Sequence, residues 1–335
     1  MPVSRGKLVF LFVLPLAFFW ASLFFGRYPI PPLTVLDLLA SRIVPFQGGW
    51  PETLETVIFD VRLPRILLAM SVGAGLSISG ASFQGMFQNP LVGPSILGVS
   101  SSAGFGAALA ILLSQSPAAI QVFALCFGLF GVLLTYGLSR VFKTTPTLVL
   151  VLSGIVVGAF FSALISMAKY VADPYEKLPA ITFWLMGSLG NASPRNLLLS
   201  LPPMVMGMTG LVLVSWRINI LSMGDEEARA LGIRTEYLKG VIILCATVVT
   251  ASAVCVAGII GWVGLVVPHV GRMIVGPDHR VLLPASIAIG SSYLLLVDDL
   301  SRTVSVGEIP LGILTALIGA PFFAYLIRKT KGGWN

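Results

Sequence analysis

Ten long runs of predominantly apolar residues constrain this chain more than any other feature of its sequence. A helix that crosses a bilayer needs roughly 20 such residues. Transmembrane β-strands would instead show alternating polarity in segments of about ten residues, and these runs are continuous. The chain is therefore predicted to be an all-α, polytopic membrane protein with a single transmembrane domain over residues 1–335. The predicted spans are 8–25, 64–83, 93–113, 118–139, 147–168, 196–216, 237–257, 260–275, 282–298 and 309–327.

The distribution of charge supports a membrane protein and predicts its orientation. Only 10% of the residues are charged, whereas soluble domains carry about 25%. The net charge of +7 is spread between the apolar runs, which argues against nucleic acid as a partner and leaves membrane lipid. Lys and Arg are in excess on the side of the termini, as at Arg140 and Arg217, so both termini are predicted to be cytoplasmic.

Several classes of chemistry have no support in the sequence. There is no GxxxxGK[ST] segment, so the chain holds no P-loop for a nucleotide. There is no HExxH segment, and the three cysteines lie singly in apolar runs, without the spacing of a metal site. We therefore expect no catalytic residue, no metal and no cofactor. A membrane-embedded enzyme stays an alternative, but it would need a polar catalytic set inside the bilayer.

The interiors of the predicted spans carry no Asp, Glu, Lys or Arg. Ion-coupled transporters commonly bury such a group to carry the proton or cation. Sodium could still bind to the carbonyl groups of a broken helix, so an ion-coupled transporter remains the main alternative. The charge-free interiors favour an external source of energy, acting from the cytoplasmic face.

A polar segment between the sixth and seventh spans is the best candidate for contact with such a partner. Acidic residues open it, which favours a helix N-terminus, and a glycine near its end is a plausible stop signal. A helix of about two turns over 224–233 would be marginal alone in water and must dock, either on its own protein or on a partner. The candidate residues are Gly224, Asp225, Glu226, Glu227, Ala228, Arg229, Ala230, Leu231 and Gly232.

Three arginines on the opposite side form a second candidate site. Arg62 and Arg65 precede the second span, and Arg302 follows the ninth. They either extend to the interface as isolated side chains or form a cationic patch for an acidic partner. Asp298 is spaced to pair with Arg302 at i,i+4, which would weaken the second interpretation. Charge alone leaves both open.

Small residues recur every four positions along the fifth span. Gly154, Gly158, Ser162 and Ser166 are predicted to share one helix face. Such a face either packs against another helix or lines a wide path, and a symmetric dimer could satisfy both. In the segment 80–98, Gln84, Gln88 and Asn89 are polar groups near the membrane that need partners, most simply the carbonyl groups of a broken helix.

Taken together, these segments resemble the family of iron-chelate and cobalamin ABC-importer permeases, the FecCD-type or type II importers. The resemblance covers nearly the whole chain, with Ser102 as one departure where many members carry Gly. It is carried by Arg62-Leu-Pro-Arg65, Gly80–Gly104, Gly224–Ile233, Gly264–His269, Asp278-His-Arg280 and Gly307–Pro321.

The resemblance implies a partner at each face of the bacterial or archaeal plasma membrane. Cytoplasmic ATPase subunits would hold residues 224–233, and an extracytoplasmic binding protein would dock on Arg62, Arg65 and Arg302. A second permease subunit, in a homodimer or a close heterodimer, would share a path lined by the fifth span. The implied cargo is a metal chelate, with a ferric siderophore first and haem, cobalamin or molybdate as alternatives. The chain itself would catalyse no reaction.

Overall fold

The computed structural model describes residues 5–26, 28–44, 49–114, 116–140, 147–305 and 307–329, and all regular structure in these ranges is helical. A π-helical turn, Thr56–Arg62, leads directly into α4. The α-helices are α1 (Arg5–Phe24), α2 (Pro32–Ser41), α3 (Glu52–Glu55), α4 (Leu63–Met86), α5 (Val99–Leu113), α6 (Pro117–Ser139), α7 (Thr147–Val171), α8 (Lys177–Met186), α9 (Pro194–Leu213), α10 (Ser215–Leu221), α11 (Asp225–Ala230), α12 (Thr235–Ala257), α13 (Val263–Val275), α14 (His279–Thr303) and α15 (Leu311–Lys329).

Each predicted span overlaps one apolar helix of the structure, which confirms the all-α, polytopic architecture. In the described ranges, six helical segments are long and apolar enough to cross a membrane. They contain α4, α6, α7, α9, α12 and α14. The helices α1, α5, α13 and α15 supply shorter apolar segments.

The third predicted span begins later than its apolar run suggested. The expected helix was 93–113, whereas α5 starts at Val99. Residues 87–98 form a loop in which Gln88 has φ 52° and Gly98 has φ 82°. The loop contains Asn89-Pro90 and Gly93-Pro94, and proline removes a backbone donor and disfavours helical geometry in the residue before it. The resulting α5 has 15 residues, about 22 Å at 1.5 Å per residue, which is short of a full crossing.

Helix α4 lies at the centre of the fold and packs against α12, α13 and α14. Two pairs of glycines allow these contacts. A Cβ atom on Gly73 would overlap the carbonyl oxygen of Gly290 in α14, and one on Gly80 would overlap the carbonyl oxygen of Gly264 in α13. Without side chains at these points the backbones approach closely, as is typical of helix packing in membranes. The backbones of α4 and α14 therefore form a tight seam where Gly73 meets Gly290.

Candidate functional site

The predicted polar segment forms the short helix α11, which is attached to the subunit by one face only. It has six residues, Asp225–Ala230, fewer than the two turns expected. Gly224, at φ 144°, and Gly232, at φ 79°, bound it in conformations that residues with a side chain rarely adopt. Ala228 is fully buried and packs into the core beside α10 and α12. The remaining face points away from the subunit.

That free face combines acidic and apolar side chains. Glu226 and Glu227 are exposed in the first turn of the helix. Met223 and Leu231, which flank α11, are 65% and 63% exposed, and Tyr237 at the start of α12 is 71% exposed. Exposed large apolar residues among charges are typical of a protein contact surface. We call α11 with these flanking residues the α11 region.

Ion pairs hold α11 against the first turns of α12. The Lys239 ammonium donates to Asp225 Oδ2 at 2.5 Å, and the Lys239 side chain is only 1% exposed. Arg229 pairs with Glu236 at 3.8 Å, but its side chain is 54% exposed. The first pair is therefore buried at its cationic end, whereas the second lies at the surface.

Helix α10 connects the α11 region to the start of α14 through one amide side chain. Asn219 Nδ2 donates to Asp278 Oδ1 at 2.7 Å, and Asn219 Oδ1 accepts from the backbone N–H of His279, also at 2.7 Å. Hydrogen bonds from Arg280, and then from Asn219, hold the pKa of the Asp278 carboxyl well below its usual range. The ionised carboxylate caps α14 by accepting from the Arg280 backbone N–H. Sequence reasoning missed Asn219, because it lies 59 residues from Asp278.

At the other end of α14, Arg65 is bound between two carboxylates of its own subunit. Its Nε and Nη2 donate to Asp298 at 2.9 Å each. Its Nη1 and Nη2 donate to Glu308 at 2.7 and 3.0 Å. The Asp298 side chain is fully buried, whereas that of Glu308 is 30% exposed. Paired N–H donors on each carboxylate form the strong, planar type of ion pair.

Arg62 and Arg302 bind the end of α1. Arg62 donates to the carbonyl oxygen of Leu23 at 2.8 Å and to that of Tyr28. Arg302 donates to Ser22 Oγ at 2.7 Å and pairs with Asp299. The expected i,i+4 pair of Arg302 with Asp298 is present, at 3.9 Å.

The three arginines are therefore brought together, but as a buried network. Arg62, Arg65 and Arg302 are 4%, 7% and 6% exposed, so they are neither isolated surface side chains nor an open cationic patch. Arg65 and Arg302 pair with three carboxylates here, whereas Arg62 binds backbone carbonyl oxygens. We call Arg62, Arg65, Arg302, Asp298, Asp299 and Glu308 the arginine cluster.

The small residues of α7 do not all share one face. Gly154 is buried, and a Cβ atom there would overlap the carbonyl oxygen of Ile96. Ser162 and Ser166 are exposed, and Gly158 is intermediate. An α-helix turns by about 400° over four residues, so a four-residue repeat drifts by about 40° at each step. The inner part of the stripe therefore packs on the loop before α5, and its outer part reaches the surface.

Two of the three polar residues near the junction of α4 and α5 donate to backbone carbonyls, as expected. Gln84 Nε2 donates to the carbonyl oxygen of Leu265 at 3.4 Å, and Gln88 Nε2 to that of Leu221 at 3.3 Å. Asn89 instead accepts from the backbone N–H of Leu91 at 2.9 Å. Gln84 thus ties α4 to α13, Gln88 ties the loop to α10, and Asn89 stabilises the loop itself, so all three residues have a structural role.

Cavities and possible metal ligands complete the description. A cavity of about 540 Å³ lies beside α8 and is lined by residues that include Gln121, Trp184, Asn191, Asn196 and Glu308. The sequence did not predict α8, a helix of ten residues, because its apolar stretch is too short to span a membrane. In the described part of the chain, no three His, Cys, Asp or Glu residues are grouped so that they could hold a metal ion.

Comparison with known proteins points to one family. Residues 13–329 match the FecCD transport family. The molybdate import system permease protein MolB of Haemophilus influenzae is 42% identical over 315 residues, which cover 94% of this chain and 93% of the relative. A probable iron chelatin transport system permease protein of Helicobacter pylori is 42% identical over 282 residues, covering 84% and 85%.

A solved structure supports the same assignment at the level of the fold. That structure shows an inward-facing conformation of a transporter that is described as a metal-chelate type ABC transporter. The similarity has a TM-score of 0.86 at 42% sequence identity and covers 97% of this chain and all of that chain. The fold is therefore shared over essentially the whole subunit.

Proposed function

Because this chain belongs to the FecCD transport family, as a permease subunit of an ABC importer, we propose that it moves a metal chelate, with a ferric siderophore as the first candidate. It is a multi-pass protein of the bacterial inner membrane, and ATP hydrolysis lies on a separate subunit. The observation that carries the proposal is α11, a helix held by the subunit on one face and open on the other.

The open face of α11 is the proposed docking site for the ATPase. Residues 224–232 would enter a cleft of that subunit, with Glu226 and Glu227 meeting basic groups and Leu231 meeting an apolar surface. An isolated helix of six residues cannot transmit force unless it is anchored. Buried Ala228 and the contacts to α10 and α12 supply that anchorage.

We propose alternating access as the mechanism. Closure of the ATPase pair moves α11, and α10 follows because three residues, 222–224, separate the two helices. Asn219 then transfers the movement to the N-terminus of α14. Helix α14 has 25 residues, about 37 Å of rigid rod, and its far end lies in the arginine cluster. Both faces of the membrane are thereby joined through one helix.

Docking of the binding protein at Arg62, Arg65 and Arg302 is proposed as an exchange of partners. Each of these guanidinium groups already has internal partners. Glu308 has the most exposed side chain of the three carboxylates, so an incoming carboxylate can displace it from Arg65 most easily. Docking would then open the cluster at one point and leave the buried pair of Arg65 with Asp298 intact.

A second copy of the chain is proposed to complete the path. Ser162 and Ser166 are exposed on α7, next to the apolar side chains Ile155 and Phe160, which are 54% and 58% exposed. A symmetric homodimer would place the two α7 helices near its axis and line the path with hydroxyl groups and small residues. Such a lining is uncharged and wide, which suits a bulky chelate that should not bind tightly on its way.

Molybdate is the second candidate for the cargo. It is favoured by the 42% identity to the Haemophilus influenzae molybdate permease over 94% of this chain, whereas the Helicobacter pylori relative supports an iron chelate. Haem and cobalamin remain alternatives from the wider family. Calorimetric titration of the partner binding protein with ferric hydroxamates, haem, cobalamin and molybdate distinguishes them. Tight binding of molybdate and none of a ferric siderophore would refute the first candidate.

The energy source is tested by uptake into vesicles that contain the permease, the ATPase and the binding protein. Collapse of the proton and sodium gradients at constant ATP should leave uptake intact, because the middle of each spanning helix offers no ionised group for coupling. Uptake that stops when the gradients collapse would favour an ion-coupled transporter instead.

A further inference from the structure

Lys239 occupies an unusual position, since it is one of the largest fully buried side chains of the described structure. It lies in the second turn of α12, at the end nearest α11. A buried ammonium group is costly unless it is paired. The sequence alone does not show this burial, which is a finding of the structure.

Three helices meet at the Lys239 ammonium group. It lies on α12, donates to Asp225 Oδ2 at the start of α11 at 2.5 Å, and donates to Thr147 Oγ1 at 3.4 Å. Thr147 is the first residue of α7. The contact to Asp225 is short and ionic, and the contact to Thr147 is at the long end of hydrogen-bond distances. The ammonium group is thus bound tightly to α11 and more loosely to α7.

Thr147 connects the Lys239 ammonium group to the helix that carries the proposed path. Helix α7 packs mainly on α5 and α6, and it carries the exposed Ser162 and Ser166 of the proposed path. It has 25 residues, so a displacement of its first turn acts on a rod of about 37 Å. A small shift of α11 would therefore reach the path directly, without passing through α10 and α14.

We propose that Lys239 is a positioning residue that transmits movement of α11 to α7. This inference rests on the proposed function, because it assumes that an ATPase moves α11. When α11 moves, Asp225 carries the ammonium group with it, and the hydrogen bond to Thr147 tightens or breaks. The Arg229–Glu236 pair joins the same two helices, α11 and α12, but it is exposed and provides a matched comparison.

The test measures the response of α7 to nucleotide in the full complex of permease, ATPase and binding protein. Exposed Cys126 is removed by Cys126→Ser, and Ser166→Cys introduces a thiol on α7. Its rate of labelling by a membrane-impermeant maleimide is compared with and without ATP, alongside ATP hydrolysis. An ATP-dependent change in the labelling rate of this parent chain tests the proposed function, independently of Lys239.

Lys239→Met should reduce the ATP-dependent change in labelling rate by about tenfold, because it removes one charge-assisted hydrogen bond. ATP hydrolysis should stay within about twofold of the parent. Glu236→Gln should keep the response. A response of Lys239→Met equal to that of the parent would overturn the proposal and leave the importer function standing.

Thr147 supplies a second test that does not depend on the folding of the Lys239 variant. Thr147→Val removes the hydroxyl group at nearly constant volume and should weaken the response about threefold, whereas Thr147→Ser keeps the hydroxyl group and should preserve it. Equal responses of Thr147→Val and Thr147→Ser would contradict a link through this hydrogen bond.

Discussion

The arginine cluster and the α11 region lie at opposite ends of α14, and they use charge in opposite ways. In the cluster the three arginines are at most 7% exposed and are balanced by Asp298, Asp299 and Glu308. In the α11 region Glu226 and Glu227 are exposed, and Asp225 pairs with the buried Lys239 of α12. One end is closed within the subunit, and the other presents an open surface.

Charged residues therefore have different roles in the two regions: they stabilise the subunit in the arginine cluster and are available for association in the α11 region. Removing one member of a buried ion pair leaves an uncompensated charge, which is strongly destabilising. Removing an exposed charge changes stability little but weakens association. Variants at the arginine cluster are therefore expected to change the stability of the subunit, and variants at the open face of α11 to change its coupling to a partner.

The largest effect is expected from Asp298→Leu. This variant leaves Arg65 and Arg302 buried without their shared carboxylate, and it should cost about 3–5 kcal/mol of stability. Thermal unfolding in detergent measures the loss. Arg42→Gln is the matched control, because the Arg42–Glu55 pair is 62% and 41% exposed and its loss should cost less than about 1 kcal/mol. Similar losses for the two variants would contradict the contrast between buried and exposed charge.

A smaller loss is expected at the seam that connects the two regions. Gly73→Val forces α4 away from the Gly290 carbonyl group in α14 and should cost about 1–3 kcal/mol. Gly137→Ala is the control. Gly137 is an exposed residue of α6, and a Cβ atom added there would meet no heavy atom within 4 Å, so the variant should be neutral or stabilising by up to about 1 kcal/mol. Unfolding curves of the two variants check the prediction, and an unaffected Gly73→Val would show that the seam can separate freely.

Glu308→Gln tests the proposed exchange of partners at the arginine cluster. Because Glu308 competes with an incoming carboxylate for Arg65, its neutralisation should strengthen capture of the binding protein about threefold at low salt, and less at high salt. Surface plasmon resonance on the vesicle-bound permease measures the affinity. Arg65→Gln should weaken capture, and an unchanged affinity in both variants would reject a docking role for the cluster.

The smallest change in stability is expected at the open end. Glu226→Gln combined with Glu227→Gln should shift the unfolding free energy by less than about 0.5 kcal/mol, because both side chains are exposed. The same variant should cause a several-fold decrease in the ATP hydrolysis stimulated by the binding protein, because exposed charges at the edge of an interface govern association. Unchanged stimulation would show that these carboxylates do not contact the ATPase.

The sequence predicted the helices better than their contacts. Each apolar run became a helix because its composition alone excludes other structures in lipid. The start of α5 was wrong by six residues, since an apolar loop and an apolar helix look alike in a run. The pairing of Arg65 with Asp298 spans 233 residues, and no local pattern encodes a contact of that separation. The local pair of Asp298 with Arg302 was predicted because four residues form one helical turn.

The central claim is that force enters this subunit from an ATPase at the open end. The most direct measurement is cargo uptake into ion-tight vesicles, with the binding protein present and the ATPase either included or omitted. With the ATPase, uptake should require ATP and continue without any ion gradient. Accumulation of cargo by vesicles that contain the permease and an imposed proton or sodium gradient, but no ATPase, would contradict the claim.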